Sequence, residues 1–556
     1  MRAGKFAAAL LGAGMLAATG APAFAQAQDM AQAQAQAQAQ GAGAGQRTQR
    51  IVQPYIEVAQ VVSAEITPGS DVVTFTQVAV GADINLQGRN SGAAVSVRYE
   101  RNIGYGDDGI DTTTISGIAR GALAVVPGTL NLEAGALASR SRVDASGGVT
   151  ANPLVREDAE SRIYSAYAGP SLTTRVGDVA VEGVARVGYN RFEADNALVT
   201  QAGNVVDVFD DSMTYMGQVR AGTRAGEPLP VGVAVTAGGF QEDISNLDQR
   251  VRDLYVRGDV TVPVSQSLAL VAGAGYEDVE ISSRDALRDA NGNAVRGPDG
   301  RLVTDSSAPR RIAFAVDGLL WDVGVLWRPS SRTNLSAAVG RRYDSTTYYG
   351  TFTYVPSQRS SFALAAYDGV SGFGGVINNG LAALDTDFEA IRNPVTGDFG
   401  GLVSGTQGQA IVGALGSVRS AAFRGRGVRA SYQRQVGRTT AALGAGYDRR
   451  TFIAAAGTVL APVNGLTDES YYVTGGLSRQ LGPNANFTTN AYINWFDGAG
   501  GGNNDVTAIG GSAAYNQALT QRLTGRAAIA VDYVDSEFTA QDFAVATALV
   551  GLRYDF

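Results

Sequence analysis

The chain has 556 residues, 45% of them hydrophobic and only 17% charged, with a net charge of -8 and neither Cys nor His. That balance argues against a nucleic-acid partner, which a basic face or tail would mark. The two missing residue types exclude disulfides, thiolate catalysis, Cys- or His-ligated metal sites and every nucleophile activated by a His base. A Ser-Lys pair fails as well, because Lys5 is the one lysine. Carboxylate pairs of the glycosidase kind stay open, but none stands out. The expectation is therefore no enzymatic role, no cofactor and no metal. Gly is abundant at 71 residues without a collagen-like period, which assigns it to turns and close packing.

Residues 1–25 have the layout of a secretory signal. Arg2 and Lys5 form a positive start, Phe6 to Ala18 a short apolar stretch, and Ala23-Phe24-Ala25 a cleavage signal. Residues 26–50 follow as a low-complexity Ala/Gln/Gly tract, expected to be a periplasmic linker rather than a folded domain. Beyond it no run of 18 consecutive apolar residues occurs, so no membrane helix is expected. A membrane protein without spanning helices must be a closed barrel, because lipid offers free backbone groups no partners.

From Ile51 to Phe556 the pattern has period two. Val95, Val97 and Tyr99 alternate with Ser96, Arg98 and Glu100; Val181, Val187 and Tyr189 oppose Glu182, Arg186 and Asn190. Leu523, Ala527, Ile529, Val531 and Tyr533 oppose Thr524, Arg526 and Asp532. The runs are long enough for tilted membrane strands. Short turns recur at Leu86–Ser91, Val126–Thr129, Thr174–Asp178, Glu227–Pro230, Val264–Ser267, Arg328–Thr333, Pro356–Ser360, Val436–Thr439, Leu481–Asn486 and Gln517–Arg522. Between them lie longer connections rich in Gly, Asn and Asp, the loop alternation of outer-membrane barrels. Strands leaving the short turns end in an aromatic followed by an acid: Tyr99-Glu100, Tyr276-Glu277, Tyr343-Asp344, Tyr367-Asp368, Tyr447-Asp448 and Phe496-Asp497. Aromatics at that end match the girdle at a membrane–water boundary. A slip of the alternation around Asp317-Gly318 predicts a bulge.

The last strand is apolar at every second position up to a terminal Phe: Ala546, Ala548, Val550, Leu552, Tyr554 and Phe556. Leu552, Tyr554 and Phe556 resemble the C-terminal assembly signal of outer-membrane proteins. That resemblance implies recognition by the barrel-assembly machinery and a periplasmic C-terminus. The expected fold is all-β: a single large transmembrane antiparallel β-barrel of about 22 strands, an even number between 18 and 22. Barrels of that size are usually plugged transporters. The tract before Ile51 leaves no space for such a domain, so no N-terminal plug is expected.

Charges assigned to the lumen by parity are Arg98, Glu100, Glu182, Arg186, Arg257, Asp259, Arg429, Asp448, Arg526 and Asp532. They can pair across strands or set a transverse field. The longest connection, Val370 to Phe423, carries Asn378, Asn379, Asp385, Asp387, Glu389, Arg392 and Asp398. Folded inward it would constrict the pore through Asp385, Asp387, Glu389 and Arg392; folded outward it would be a flap. In Arg284 to Pro309, Asp289, Asn291 and Asn293 imitate the start of a calcium loop, but Gly300 stands where the closing Glu belongs. Turns in an external hairpin are the expectation there.

Three segments carry a family resemblance: QPYIEVAQVV at 53–62, YVRGDVTVPVSQSLALVAGAGYEDVEISSRDALRDANGNAVRGPDGR at 255–301 and WDVGVLWRPSSRTNLSAAVGRRYDSTTYYGTFTYVPSQRS at 321–360. They resemble the alphaproteobacterial outer-membrane barrels of the porin-2-like family, some members of which are labelled a preprotein translocase subunit. The resemblance covers the chain from about residue 51 onward and implies an outer-membrane barrel. The functional expectation is a porin-like channel for small polar solutes in the Gram-negative outer membrane. Its surroundings would be outer-membrane lipid and lipopolysaccharide, with homo-oligomerisation left open. The alternatives are a secretion or polysaccharide-export barrel, and a structural or adhesive surface barrel without an open pore.

Overall fold

The computed structural model describes residues 49–67, 69–105, 111–143, 149–150, 160–194, 198–199, 205–206, 211–298, 301–357, 359–397, 399–403, 421–498, 505–536 and 542–556. The alternating segments form 22 wall strands. In chain order these are β1 (Gln49–Thr67), β2 (Val72–Gln87), β3 (Ser91–Gly104), β4 (Thr113–Val126), β5 (Leu130–Val143), β6 (Glu160–Val176), β7 (Val179–Ala194) and β8 (Asp211–Thr223). There follow β9 (Gly232–Ile244), β10 (Gln249–Pro263), β11 (Leu268–Ser283), β12 (Arg311–Ser330), β13 (Thr333–Arg342), β14 (Ser345–Ser357) and β15 (Ser360–Ser371). The circuit ends with β16 (Phe423–Val436), β17 (Thr439–Phe452), β18 (Thr467–Gln480), β19 (Ala485–Asp497), β20 (Val506–Ala518), β21 (Leu523–Ser536) and β22 (Phe543–Asp555). Each pairs antiparallel with its chain neighbours, and β22 pairs β1 from Tyr55↔Asp555 to Thr67↔Ala544, which closes the sheet. Closure gives every wall strand, among the described residues, a partner on both sides.

The ten short turns read from the sequence all lie at one end of the barrel, together with the start of β1 and the end of β22. The longer connections lie at the other end. Side chains sort by parity into an apolar exterior and a polar interior. Leu319, Ile529 and Val550 point outward at 67%, 60% and 68% exposure. Glu57, Arg98 and Arg257 point inward and are buried. A soluble protein has the reverse arrangement; an apolar outside around a polar inside is the arrangement of outer-membrane barrels. In β22 Val550, Leu552 and Tyr554 face outward, as does Phe556 just after it.

Two expectations need correction, and one left open is decided. First, the bulge in β12 sits at Ala313, between Phe314 (paired with Ile281) and Ile312 (paired with Ser282). Asp317 and Gly318 pair regularly with Asp278 and Glu277, so the polar Asp317 faces outward without breaking the ladder. Second, only half of the aromatic–acid pairs place the ring outside. Tyr99, Tyr276 and Tyr447 face outward, as does Trp495. Tyr343 occupies a two-residue hairpin with Asp344, both at positive φ, and turns its ring inward so that its hydroxyl donates to Asp253 (3.0 Å). Tyr367 and Phe496 also fall on the lumen side by parity.

Third, the barrel is not an unplugged tube. The connection between β15 and β16 enters the lumen, with helix α1 (Phe373–Ala382) followed by a hairpin of Ala390–Arg392 and Phe399–Val403. The sequence left the inward and outward courses of this connection open, and what occupies the lumen comes from the middle of the chain.

Candidate functional site

Ser371 and Phe423 are direct ladder partners, so β15 and β16 continue the wall while the chain between them loops inward. The wall prepares an unusual landing surface. On β3 to β9 the inward positions include Ala94, Ile118, Leu137, Ile163, Tyr167, Phe192 and Ile244, apolar where a water-filled lumen would be polar. Phe373, Ile377, Leu381, Leu384, Phe388 and Phe399 of the insertion pack on them as one buried cluster. At the hairpin turn, Val395 packs on a second patch that includes Val61, Phe75 and Leu549.

Helix α1 begins at Gly372 without a side-chain cap of its own. The first N–H groups of a helix need acceptors, and a carboxylate suits the positive end of its dipole. Glu242, near the end of β9 and fully buried, fills that role from across the lumen. It accepts the backbone N–H groups of Gly372 (2.9 Å), Gly374 (3.0 Å) and Gly375 (3.1 Å). The glycines permit this approach: a Cβ at Gly372 would lie 2.7 Å from the Glu242 carboxyl. Midway along the helix, buried Asn378 donates to Thr214 (2.8 Å) and accepts from Ser165 (2.9 Å). Gly188 makes room for it, since a Cβ there would lie 2.1 Å from the Asn378 amide.

Below α1 the chain reaches the short-turn end, where Gln87 donates to the Thr386 carbonyl (3.1 Å). The hairpin then crosses β3 and β4. Arg392 donates to the Ser116 hydroxyl (2.7 Å), to the Ser96 carbonyl (3.2 Å) and to the Gly397 carbonyl (3.0 Å). Ser139 donates to the Phe399 carbonyl (2.7 Å), and Arg526 donates to the Pro394 carbonyl.

Of the four residues singled out for constriction, Arg392 is thus tied into the wall. Asp385 is half-buried, while Asp387 and Glu389 are exposed within the described structure. The Asp385 carboxyl is pushed up to about 6 by burial and by Asp387 beside it, against the attraction of Arg120. Asp398 lies outside the described residues.

All ten charges assigned to the lumen by parity lie on the inner face. Arg98 bridges Glu57 (3.0 Å) and Glu100 (2.9 Å), and Arg526 meets the other oxygen of Glu57 (3.1 Å). Arg257 bridges Asp259 (2.5 Å) and Asp322 (2.6 Å). Arg429 lies 3.4 Å from Asp448, Arg186 meets Glu133, and Asp532 accepts the Tyr492 hydroxyl (2.9 Å). Glu182 stands opposite Arg220 in the ladder. Cross-strand pairing therefore accounts for most of these charges.

Sequence reasoning missed Glu57, Glu133, Asp322 and above all Glu242. The last had a signal: Gly372-Phe373-Gly374-Gly375 after a strand is a glycine-rich helix start, the kind of place where an anion binds. In the 284–310 connection, Asp289 accepts the N–H groups of Asn291 and Asn293 (both 2.9 Å), so its carboxylate is spent on its own turn.

No protein-family model matches the chain. No curated protein matches it either. Several solved structures share the large-barrel architecture. The FrpB iron transporter of Neisseria meningitidis (F5-1 variant) is 11% identical, with 93% of this chain and 84% of that one covered and a TM-score of 0.43. The ferric-catecholate import receptor Fiu of E. coli K12 is 11% identical over 90% of this chain and 81% of its own, with a TM-score of 0.45. The siderophore receptor PirA of Acinetobacter baumannii is 8% identical over 92% and 81%, with a TM-score of 0.42. At these identities and scores the likeness carries no argument about cargo, and the barrel rests on its own strand pairing.

Proposed function

We propose that this chain is an outer-membrane transport barrel that passes small polar solutes through a lumen narrowed by the segment between β15 and β16. The observation that supports this most is the anchoring of that segment. It is held at the long-loop end by Glu242, at mid-height by Asn378 and at the short-turn end by Gln87, so it runs along the bore. An external flap would need none of these partners. Its exposed acids Asp387 and Glu389, with half-buried Asp385, would meet any solute passing it. The short turns and Phe556 face the periplasm in this reading, residues 1–25 are removed on export, and the outward face of β22 is what the assembly machinery reads. Lipopolysaccharide surrounds the opposite rim. The resemblance to the porin-2-like family points the same way.

A second reading, a surface barrel kept shut by its insertion, is favoured by the burial of lumen charges such as Arg98 and Arg257 at 3% and 2% exposure. One measurement separates the two. Purified protein in planar bilayers gives discrete conductance steps if solutes pass; a barrel silent at every voltage supports the closed surface protein instead.

A further inference from the structure

On four consecutive strands, β4 to β7, the inner wall collects Arg120, Glu133, Tyr167 and Arg186, all at least nine-tenths buried. The group is short of acceptors. Both oxygens of Glu133 are occupied, one by Arg120 Nη2 (2.6 Å) and the other by Arg186 Nε. Arg120 Nη1 donates to the Gly121 carbonyl (2.9 Å). Left without partners are both terminal nitrogens of Arg186, the Nε of Arg120 and the hydroxyl of Tyr167. Two guanidinium groups thus share the one carboxylate of Glu133, and the unpaired atoms are three guanidinium nitrogens and a hydroxyl, all able to donate.

The cluster is held in shape by its own packing. The Tyr167 ring is within cation–π reach of both cations, with the Arg120 and Arg186 carbons 5.7 and 5.8 Å from its centroid. Gly135 sits under the ring, where a Cβ would lie 2.5 Å from it. Buried donors without acceptors are costly, and a planar guanidinium edge with a hydroxyl beside it matches an oxyanion in two-pronged geometry. Over the group lies the C-terminal half of α1: Ile377 and Leu381 belong to the same buried cluster as Tyr167, and the carboxyl of Asp385 faces Arg120.

We propose that Arg120, Tyr167 and Arg186 form an oxyanion-binding station of the lumen wall, for solutes that carry a phosphate or carboxylate group. The station rests on the transport reading for its purpose but not for its chemistry. A solute reaches it when the end of α1 lifts from Tyr167, and Asp385 is the internal carboxylate it displaces from the field of Arg120.

The test is a phosphorus-31 NMR titration of inorganic phosphate against the full-length protein in detergent, with acetate and chloride as competitors. Saturable binding, displaced by acetate but not by equal chloride, is expected. Tyr167→Phe removes one oxygen and Arg186→Gln removes one charge; each should weaken binding about tenfold. Arg186→Lys keeps the charge, loses the fork, and should recover only part of the affinity. Absence of saturable binding, equal displacement by chloride, or unchanged affinity in Tyr167→Phe overturns the proposal. If Arg186→Gln does not fold, Tyr167→Phe still decides. A protein that binds phosphate but never conducts ends the channel reading and leaves the station standing; conductance without phosphate binding does the opposite.

Discussion

Three backbone N–H groups at the start of α1 end on the single carboxylate of Glu242, a residue 130 or more positions away along the chain. Hydrogen bonds to a charged group contribute about 1.5–3 kcal/mol each, and losing the acceptor strands buried donors. Glu242→Ala should therefore free the helix without opening the wall. The expected outcome in planar bilayers is a larger and noisier conductance, with the heat-modifiable gel mobility of the folded barrel unchanged. Asp385 supplies a second residue-level expectation. Its carboxyl holds a proton up to about 6, so the insertion gains this negative charge only as pH rises through that value. The groups around it are Asp387, which raises it, and Arg120, which lowers it. Reversal potentials in a salt gradient should shift toward cation preference between about pH 5 and about pH 7, a unit either side of the midpoint. The step should vanish in Asp385→Asn. An unchanged selectivity across that window would place Asp385 away from the solute path.

At the level of the single strand, the period of two does nearly all the sorting. A residue's parity decides whether it meets lipid or lumen, and one substitution can exploit that. Ile529 in the middle of β21 points outward, and its neighbour Ala528 points inward and is buried. Ile529→Arg should lower stability by about 2–4 kcal/mol in lipid vesicles, because an exterior charge near the midplane faces hydrocarbon. Arg526, three positions earlier, costs nothing comparable, since it reaches Glu57 inside. Guanidine titrations of the refolded protein would measure the difference. The exceptions to parity-based reading are equally physical. Tyr343 belongs to a tight hairpin whose two residues both have positive φ, and that geometry swings its ring inward. The bulge at Ala313 shifts the register at the start of β12, while Asp317 is simply a polar residue on the outer face, which the alternation alone mistakes for a slip.

At the level of the whole molecule, the wall and its filling are separable. Ser371 and Phe423 are already ladder partners, so residues 372–422 can be replaced by a short linker without straining β15 or β16. The shortened protein should still fold as a closed barrel, shown by its heat-modifiable mobility. It should conduct several-fold more than the full chain. Equal conductance with and without the segment would mean that it does not limit passage. Closure itself comes from β1 pairing with β22, the most distant strands in sequence, and it depends on both ends of the wall being formed.

The sequence by itself determined the wall: strand type, the ten short turns, the number of strands near 22, and which charges face inward. Those features are local, because alternation and turn chemistry act over a few residues. Only the tertiary structure decided what fills the lumen. Glu242 resembles any other inward charge until Gly372, Gly374 and Gly375 meet it across the bore. The apolar inner positions Ile118, Leu137 and Ile163 resemble alternation noise until Ile377 and Leu381 cover them. Both are contacts between segments far apart in the chain, and no local period encodes which inner face an inserted helix will choose.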